Sequence, residues 1–128
     1  MKALLYRQPG GPEVLEYLSV ADPLPGPRDV VIEVAATALN HLDIVQRNGW
    51  FTMPGFTLPH IAGMDVAGTV REVGAEVERV RVGDRVVVDP SLAGVPGGST
   101  LAGMGDLYGE LGVIGGTVAG GSQTTGPL

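Results

Sequence analysis

The run DVVIEVAATAL at residues 29–39 places the tightest constraint on the fold. It is rich in β-branched residues, which suit a pleated, half-buried surface, so it reads as a strand. It passes without a break into NHLDIVQRNGW at 40–50, where the spacing becomes helical. Leu39, Leu42 and Val45 recur at helical intervals there. Asn40 is a good N-cap, Asp43 lies in the first turn, and Asn48-Gly49 is a stop signal. These signals predict one short helix opening straight off a strand end. Its cap and first turn then present Asn40, His41 and Asp43 together.

The rest of 1–90 carries strand and turn signals. MKALLYR is a short strand, GGP at 10–12 a turn, and VLEYLSV at 14–20 an alternating, half-buried strand. DPLPGPRD at 22–29 holds prolines at every second position and reads as an extended connection. FTMPGFTLP at 51–59 is a loop. IAGMDVAGTVREVG at 61–74 reads as one long strand containing small residues, and DRVVVDP at 84–90 as another. Between them the charged stretch VGAEVERVRVGD belongs on the surface. From about Ser91 glycine dominates, the only charges are Asp106 and Glu110, and the one aromatic is Tyr108. Ordering glycine costs more entropy, and few large side chains remain to offset that cost. An irregular lobe with a frayed GGSQTTGPL end is expected.

The 128 residues suit one domain, and 44% hydrophobic residues supply a core. A net charge of −6 argues against nucleic acid or an anionic membrane surface as partner, because both need clustered Lys and Arg. No run of 18 apolar residues suggests a membrane span, and the first residues lack the apolar core of a signal peptide. With no cysteine there is neither a disulfide framework nor a thiolate ligand. A cytoplasmic location is the default expectation.

Each candidate site has a plain structural alternative. GMGDLYG at 103–109 is one residue off the dinucleotide fingerprint, but no strand precedes it, so its backbone has no reason to meet a pyrophosphate. His41 and His60 belong to no metal-ligand pattern and read as a helix-end and a loop histidine. The Asn40-His41-Asp43 group could orient a small substrate or cofactor, or could simply cap a helix. Asp65, in the apolar run GMDVAGTV, needs a partner or a raised pKa. Arg47 and Arg71 are the candidate partners.

Four segments together carry a resemblance: MKALLYRQPGGPEVLEY, DVVIEVAATALNHLDIVQRNGW, PHIAGMDVAGTVREVGAEVERVRVGDRVVV and GELGVIGGTVAGG. From Met1 to about Gly121 the chain resembles the N-terminal, GroES-like domain of the medium-chain dehydrogenase/reductase superfamily. That implies a mainly β fold with one short helix, a partly open and incomplete GroES-like barrel. It divides the chain into a barrel core at 1–90, a glycine-rich lobe at 91–121 equivalent to the family's structural-zinc lobe, and a disordered tail at 122–128.

The resemblance also carries site roles. The family's first catalytic-zinc ligand falls at Asn40 and its second, a histidine, at Met64, and neither residue suits zinc. The structural-zinc cysteines fall at Gly94, Gly97, Thr100 and Tyr108. The pattern is that of the zinc-free, quinone-oxidoreductase-like branch, where hydride passes directly from NAD(P)H to a carbonyl, enone or quinone. By this resemblance Asn40 and Asp43 are the catalytic candidates, and His41 and Leu42 face the cofactor. Leu42 replaces a hydroxyl residue that relays protons in related zinc enzymes. Trp50, Phe51 and Met64 line the substrate cleft. The family continues into a Rossmann domain that these 128 residues lack. The expectation is therefore a truncated chain, inactive alone, that holds no cofactor tightly and no zinc. A homodimer is expected only with the missing domain. The competing expectation is a stand-alone GroES-like binding or assembly module.

Overall fold

The computed structural model describes residues 1–52, 56–93, 111–113 and 124–125. These residues are mainly β with one α-helix. The strands are β1 Lys2–Tyr6, β2 Glu16–Ser19, β3 Val30–Ala38, β4 His60–Ile61, β5 Asp65–Val73, β6 Arg85–Val87, β7 Ser91–Ala93, β8 Leu111–Val113 and β9 Thr124–Thr125. The helix α1 is His41–Arg47, and a 3-10 turn covers Pro12–Val14, next to the turn expected at 10–12.

All pairings are antiparallel. One sheet has the order β2-β1-β4, with β9 also on β1, and the other has the order β3-β5-β6. Among the described residues the sheets do not close on one another, which agrees with a partly open barrel. Both sheets contribute to the core. Ala3 and Leu5 alternate inward on β1, and Val66, Gly68 and Val70 on β5, as the two-residue period of a strand requires. Tyr6, Val31, Ile32, Ala62 and Met64 complete the buried set.

The long strand expected at 61–74 is two strands in two sheets. β4 pairs with β1, and β5 pairs with β3 and β6. Gly63 between them has φ +93°, a left-handed conformation that no strand interior accommodates and that glycine adopts without a Cβ clash. The apolar run is continuous in sequence because Ala62 and Met64, on either side of the break, are both buried. The chain changes sheets there without leaving the core.

β3 and β5 form the longest ladder, and it is not regular. Val34 faces Gly68 and Ala36 faces Ala67, so Ala35 is an extra residue in β3. At Gly68 the backbones approach so closely that a built Cβ would collide with the Glu33 carbonyl oxygen and crowd the Ile32 side chain. From Ala35 to Leu39 every residue of β3 and its exit is exposed.

Two further expectations change with the structure. Thr124–Thr125 pairs with Lys2 and Ala3, so the tail expected to fray carries a strand. β4 reaches only Leu5 and Tyr6, which leaves that edge of β1 open for two β-branched residues. At the lobe, β7 and β8 pair across the stretch between them. GMGDLYG and positions 94, 97, 100 and 108 lie outside the described residues.

Replacing Gly68 by Ala is expected to destabilise the domain by about 1–3 kcal/mol, the usual cost of forcing atoms into a packed interior. Urea unfolding of the variant checks this, and an unchanged midpoint would mean that the close approach is not maintained.

Candidate functional site

The β3-to-α1 junction is organised by Asp43. Its Oδ2 accepts the Asn40 backbone N–H at 2.6 Å, and its own N–H donates to the Asn40 carbonyl at 3.1 Å. The first contact is the back-reaching arm of a capping box, with Asp in place of the usual Glu. It satisfies a backbone donor that the strand no longer pairs and helix geometry does not yet use. Asp43 also places negative charge at the positive end of the helix.

Asn40 is held from a second side. Its Nδ2 donates to Asp65 Oδ2 at 2.8 Å. Asp65 is the first residue of β5 and pairs with Ala38, two residues before Asn40. The carboxylate at the end of that ladder thus reaches past the last rung to the helix cap. The expected Arg47 or Arg71 partnership does not form. Arg47 Nε instead donates to the Gly10 carbonyl at 3.2 Å, and Gly10 N–H returns a bond to the Arg47 carbonyl at 2.8 Å. Asp65 is half-buried, so a neutral amide partner is enough to satisfy it.

The buried face of α1 is not the apolar stripe that the spacing suggested. Leu39 is 75% exposed and Ile44 is also exposed, whereas Asp43 is 8% and Gln46 only 1% exposed. Residues 43 and 46 are one turn apart and share the buried face of α1. Asp43 lies near enough to Tyr6 to act on its ionisation: burial first, then the Asp43 carboxylate, push the phenol up to about 12, against a smaller opposing effect of Arg47. Among the described residues Asp43 Oδ1 and Gln46 Nε2 are buried without hydrogen-bond partners, a combination that costs stability.

The other site candidates are spread around this helix. His41 is exposed and Leu42 half-buried in its first turn. Trp50 and Phe51, 75% and 55% exposed, follow its far end, roughly 10 Å along the axis from Asn40. Met64 is buried beside the sheet change. The hydrogen bonds bring together Asn40, Asp43 and Asp65. His60, expected as a loop residue, is buried on β4 and packs edge-on to Tyr6 at 5.5 Å and against Phe56 at 4.7 Å between ring centroids. Sequence reasoning missed Gln46 and Tyr6. The available signal was the i, i+3 spacing of Asp43 and Gln46.

Among the described residues no group of three or more His, Cys, Asp or Glu could hold a metal ion. No helix among them is long and apolar enough to cross a membrane.

Two predictions follow from this geometry. The unfolded phenol of Tyr6 loses its proton from its ordinary value near 10, while the folded one keeps it to about 12. The folded state then binds the extra proton, so stability falls as pH rises through that window. Urea midpoints across it are expected to decline less steeply in Tyr6→Phe. Gln46→Met, which removes the unpartnered donor at similar volume, is expected to stabilise the chain by about 1 kcal/mol in the same assay.

Comparison with known proteins agrees with this architecture. The family model of the alcohol dehydrogenase GroES-like domain matches residues 26–125. The quinone oxidoreductase of Pseudomonas aeruginosa is 45% identical over 85 residues, which is 66% of this chain and 26% of that protein. A crystal structure of an NAD-dependent alcohol dehydrogenase superposes with TM-score 0.78 at 40% identity, covering 94% of this chain and 35% of that one. The Escherichia coli quinone oxidoreductase complexed with NADPH superposes with TM-score 0.63 at 32% identity, covering 68% and 26%. The chain spans about a quarter of the length of the curated relatives it matches. It belongs to the alcohol dehydrogenase GroES-like domain family, as an N-terminal domain of the medium-chain dehydrogenase/reductase superfamily in the quinone-oxidoreductase-like branch.

Proposed function

We propose that this chain forms the substrate-side wall of a cytoplasmic, NAD(P)H-dependent oxidoreductase that reduces an activated carbonyl, enone or quinone without zinc. The observation that carries this reading is Asn40, half-buried at a strand-to-helix junction, with its side-chain amide bonded to Asp65 and its backbone N–H to Asp43. The residues at the family's zinc-ligand positions do not fit zinc. Asn40 turns an N–H donor, not a lone pair, toward its neighbour, and Met64 offers a buried thioether. NAD(P)H, when bound, supplies the hydride. Polarisation of the acceptor falls to protein donors placed in advance.

In this reading the Asn40 amide contacts the substrate oxygen, and Asp43 fixes the backbone that carries Asn40. His41 and Leu42 face the cofactor. Trp50 and Phe51 shape the cleft mouth, with Met64 packed behind. Residues 1–90 act as the barrel core and 91–121 as a zinc-free lobe. The dinucleotide-binding part is supplied outside this 128-residue stretch, which is inactive by itself, and dimer formation depends on that part. A stand-alone assembly module is not favoured, because the matched relatives are oxidoreductases.

A second substrate class has a specific observation behind it. The matched alcohol dehydrogenase covers 94% of the chain and the Escherichia coli quinone oxidoreductase 68%. Alcohol–aldehyde interconversion is therefore the competing reaction.

One chimaera tests both. This chain replaces the matching N-terminal part of the Pseudomonas aeruginosa quinone oxidoreductase, and NADPH oxidation is followed with a naphthoquinone and with an aldehyde. Quinone reduction is expected, with Asn40→Ala lowering kcat/KM by roughly 100-fold, the scale of losing one placed donor. Turnover of the aldehyde alone would favour the alcohol reading. A folded chimaera that binds NADPH and reduces neither would sink the proposal, and stoichiometric zinc in it would sink the zinc-free part.

A further inference from the structure

We infer that Asp65 is the positioning residue of this site: its Oδ2 takes one N–H of the Asn40 amide, which fixes the amide's orientation and leaves the second N–H to meet a ligand carbonyl oxygen. The inference rests on the proposed site around Asn40 and adds to it the residue that aims the amide.

A primary amide can be turned over about its last bond at little steric cost, exchanging donor for acceptor. The capping box turns the amide oxygen of Asn40 toward the Asp43 backbone N–H, and Asp65 holds the nitrogen from the other side. An ionised carboxylate only accepts, so the nitrogen must face β5. The 2.8 Å separation is that of a charge-assisted bond, and such bonds are the stronger class. Asp65 is itself anchored by its pairing with Ala38 at the start of β5. The Asn40 backbone is pinned independently by Asp43 Oδ2. Main chain and side chain of Asn40 are thus fixed by two carboxylates from two elements. One bond uses one of the two hydrogens on Nδ2, and the residue is not fully enclosed. The remaining hydrogen is the site's unspent donor, and an enone, quinone or carboxamide oxygen is the ligand group that accepts it.

The experiment uses the whole 128-residue chain labelled with 15N, with the side-chain amide signals of Asn40 assigned by their loss in Asn40→Ser. The probes are cyclohexenone and cyclohexene, which share a ring and differ in the carbonyl. Without ligand, Asp65→Ala is expected to shift the Asn40 side-chain signals while the backbone signals of β3 and β5 keep their dispersion. Asp65→Asn retains an acceptor at the same length and is expected to restore them. Cyclohexenone, and not cyclohexene, is expected to shift an Asn40 Nδ2 proton. Its Kd is expected to rise about tenfold in Asp65→Ala and to recover in Asp65→Asn, as loss of one oriented hydrogen bond implies.

The outcomes separate the two ideas. Asn40 side-chain signals indifferent to Asp65→Ala would mean that the hydrogen bond is not made, and this inference alone would fall. Equal cyclohexenone affinity in wild type and Asp65→Ala would also overturn the positioning role while leaving the site in place. If the hydrogen-bond signature is present but cyclohexenone moves nothing at Asn40, the site reading is wrong and the inference falls with it.

Discussion

One device recurs at three places where this chain starts a new element: an aspartate three residues on from the first residue of the turn closes it. At 26–29 Gly26 N–H donates to Asp29 Oδ2 at 2.9 Å and Asp29 N–H donates to the Gly26 carbonyl at 3.2 Å. At 81–84 Arg81 and Asp84 repeat the exchange at 2.9 and 3.0 Å. At 40–43 Asn40 and Asp43 do so at 2.6 and 3.1 Å. The first launches β3, the second β6 and the third α1. In each case the carboxylate satisfies a backbone N–H that would otherwise lack a partner at the edge of regular structure. The helix that carries the candidate site uses the same local chemistry that starts two strands. What distinguishes it is the second carboxylate, Asp65, arriving from another strand.

That arrival depends on the sheet change at Gly63. Because the chain turns there, β4 completes the first sheet and β5 begins afresh in the second, with Asp65 as its first residue. Had the strand run on through 61–74, position 65 would have been an interior rung and not the end of a ladder. The extra residue at Ala35 acts at the other strand of the same ladder. One added residue reverses which face later side chains take, and it separates the buried Val31–Ile32 end of β3 from the exposed end that leads to Asn40.

Local signals were enough for the class and for most elements. β3 matches its β-branched run, and α1 begins and ends at its cap and stop residues. The place of Asn40 at the helix cap was legible from its position at the strand-to-helix switch. What was not legible depends on tertiary contact. Hydrophobic spacing pointed Leu39, Leu42 and Val45 inward, yet Leu39 is exposed and Gln46 is enclosed, because tertiary packing and not the helix's own pattern sets which face is covered. Asp65 was recognised as needing a partner. Charge complementarity suggested an arginine, whereas the ladder register delivers an amide. A period-2 pattern could not show the break at Gly63, since buried residues flank it on both sides.

The bond between Asn40 and Asp65 joins two positions 25 residues apart into one unit of inheritance. A carboxylate at 40 would stand among Asp43 and Asp65 and repel both, and an apolar residue there would leave Asp65 facing no donor. What has to be kept is the match, a donor at 40 and an acceptor at 65, and any redesign of this junction has to choose the two side chains together.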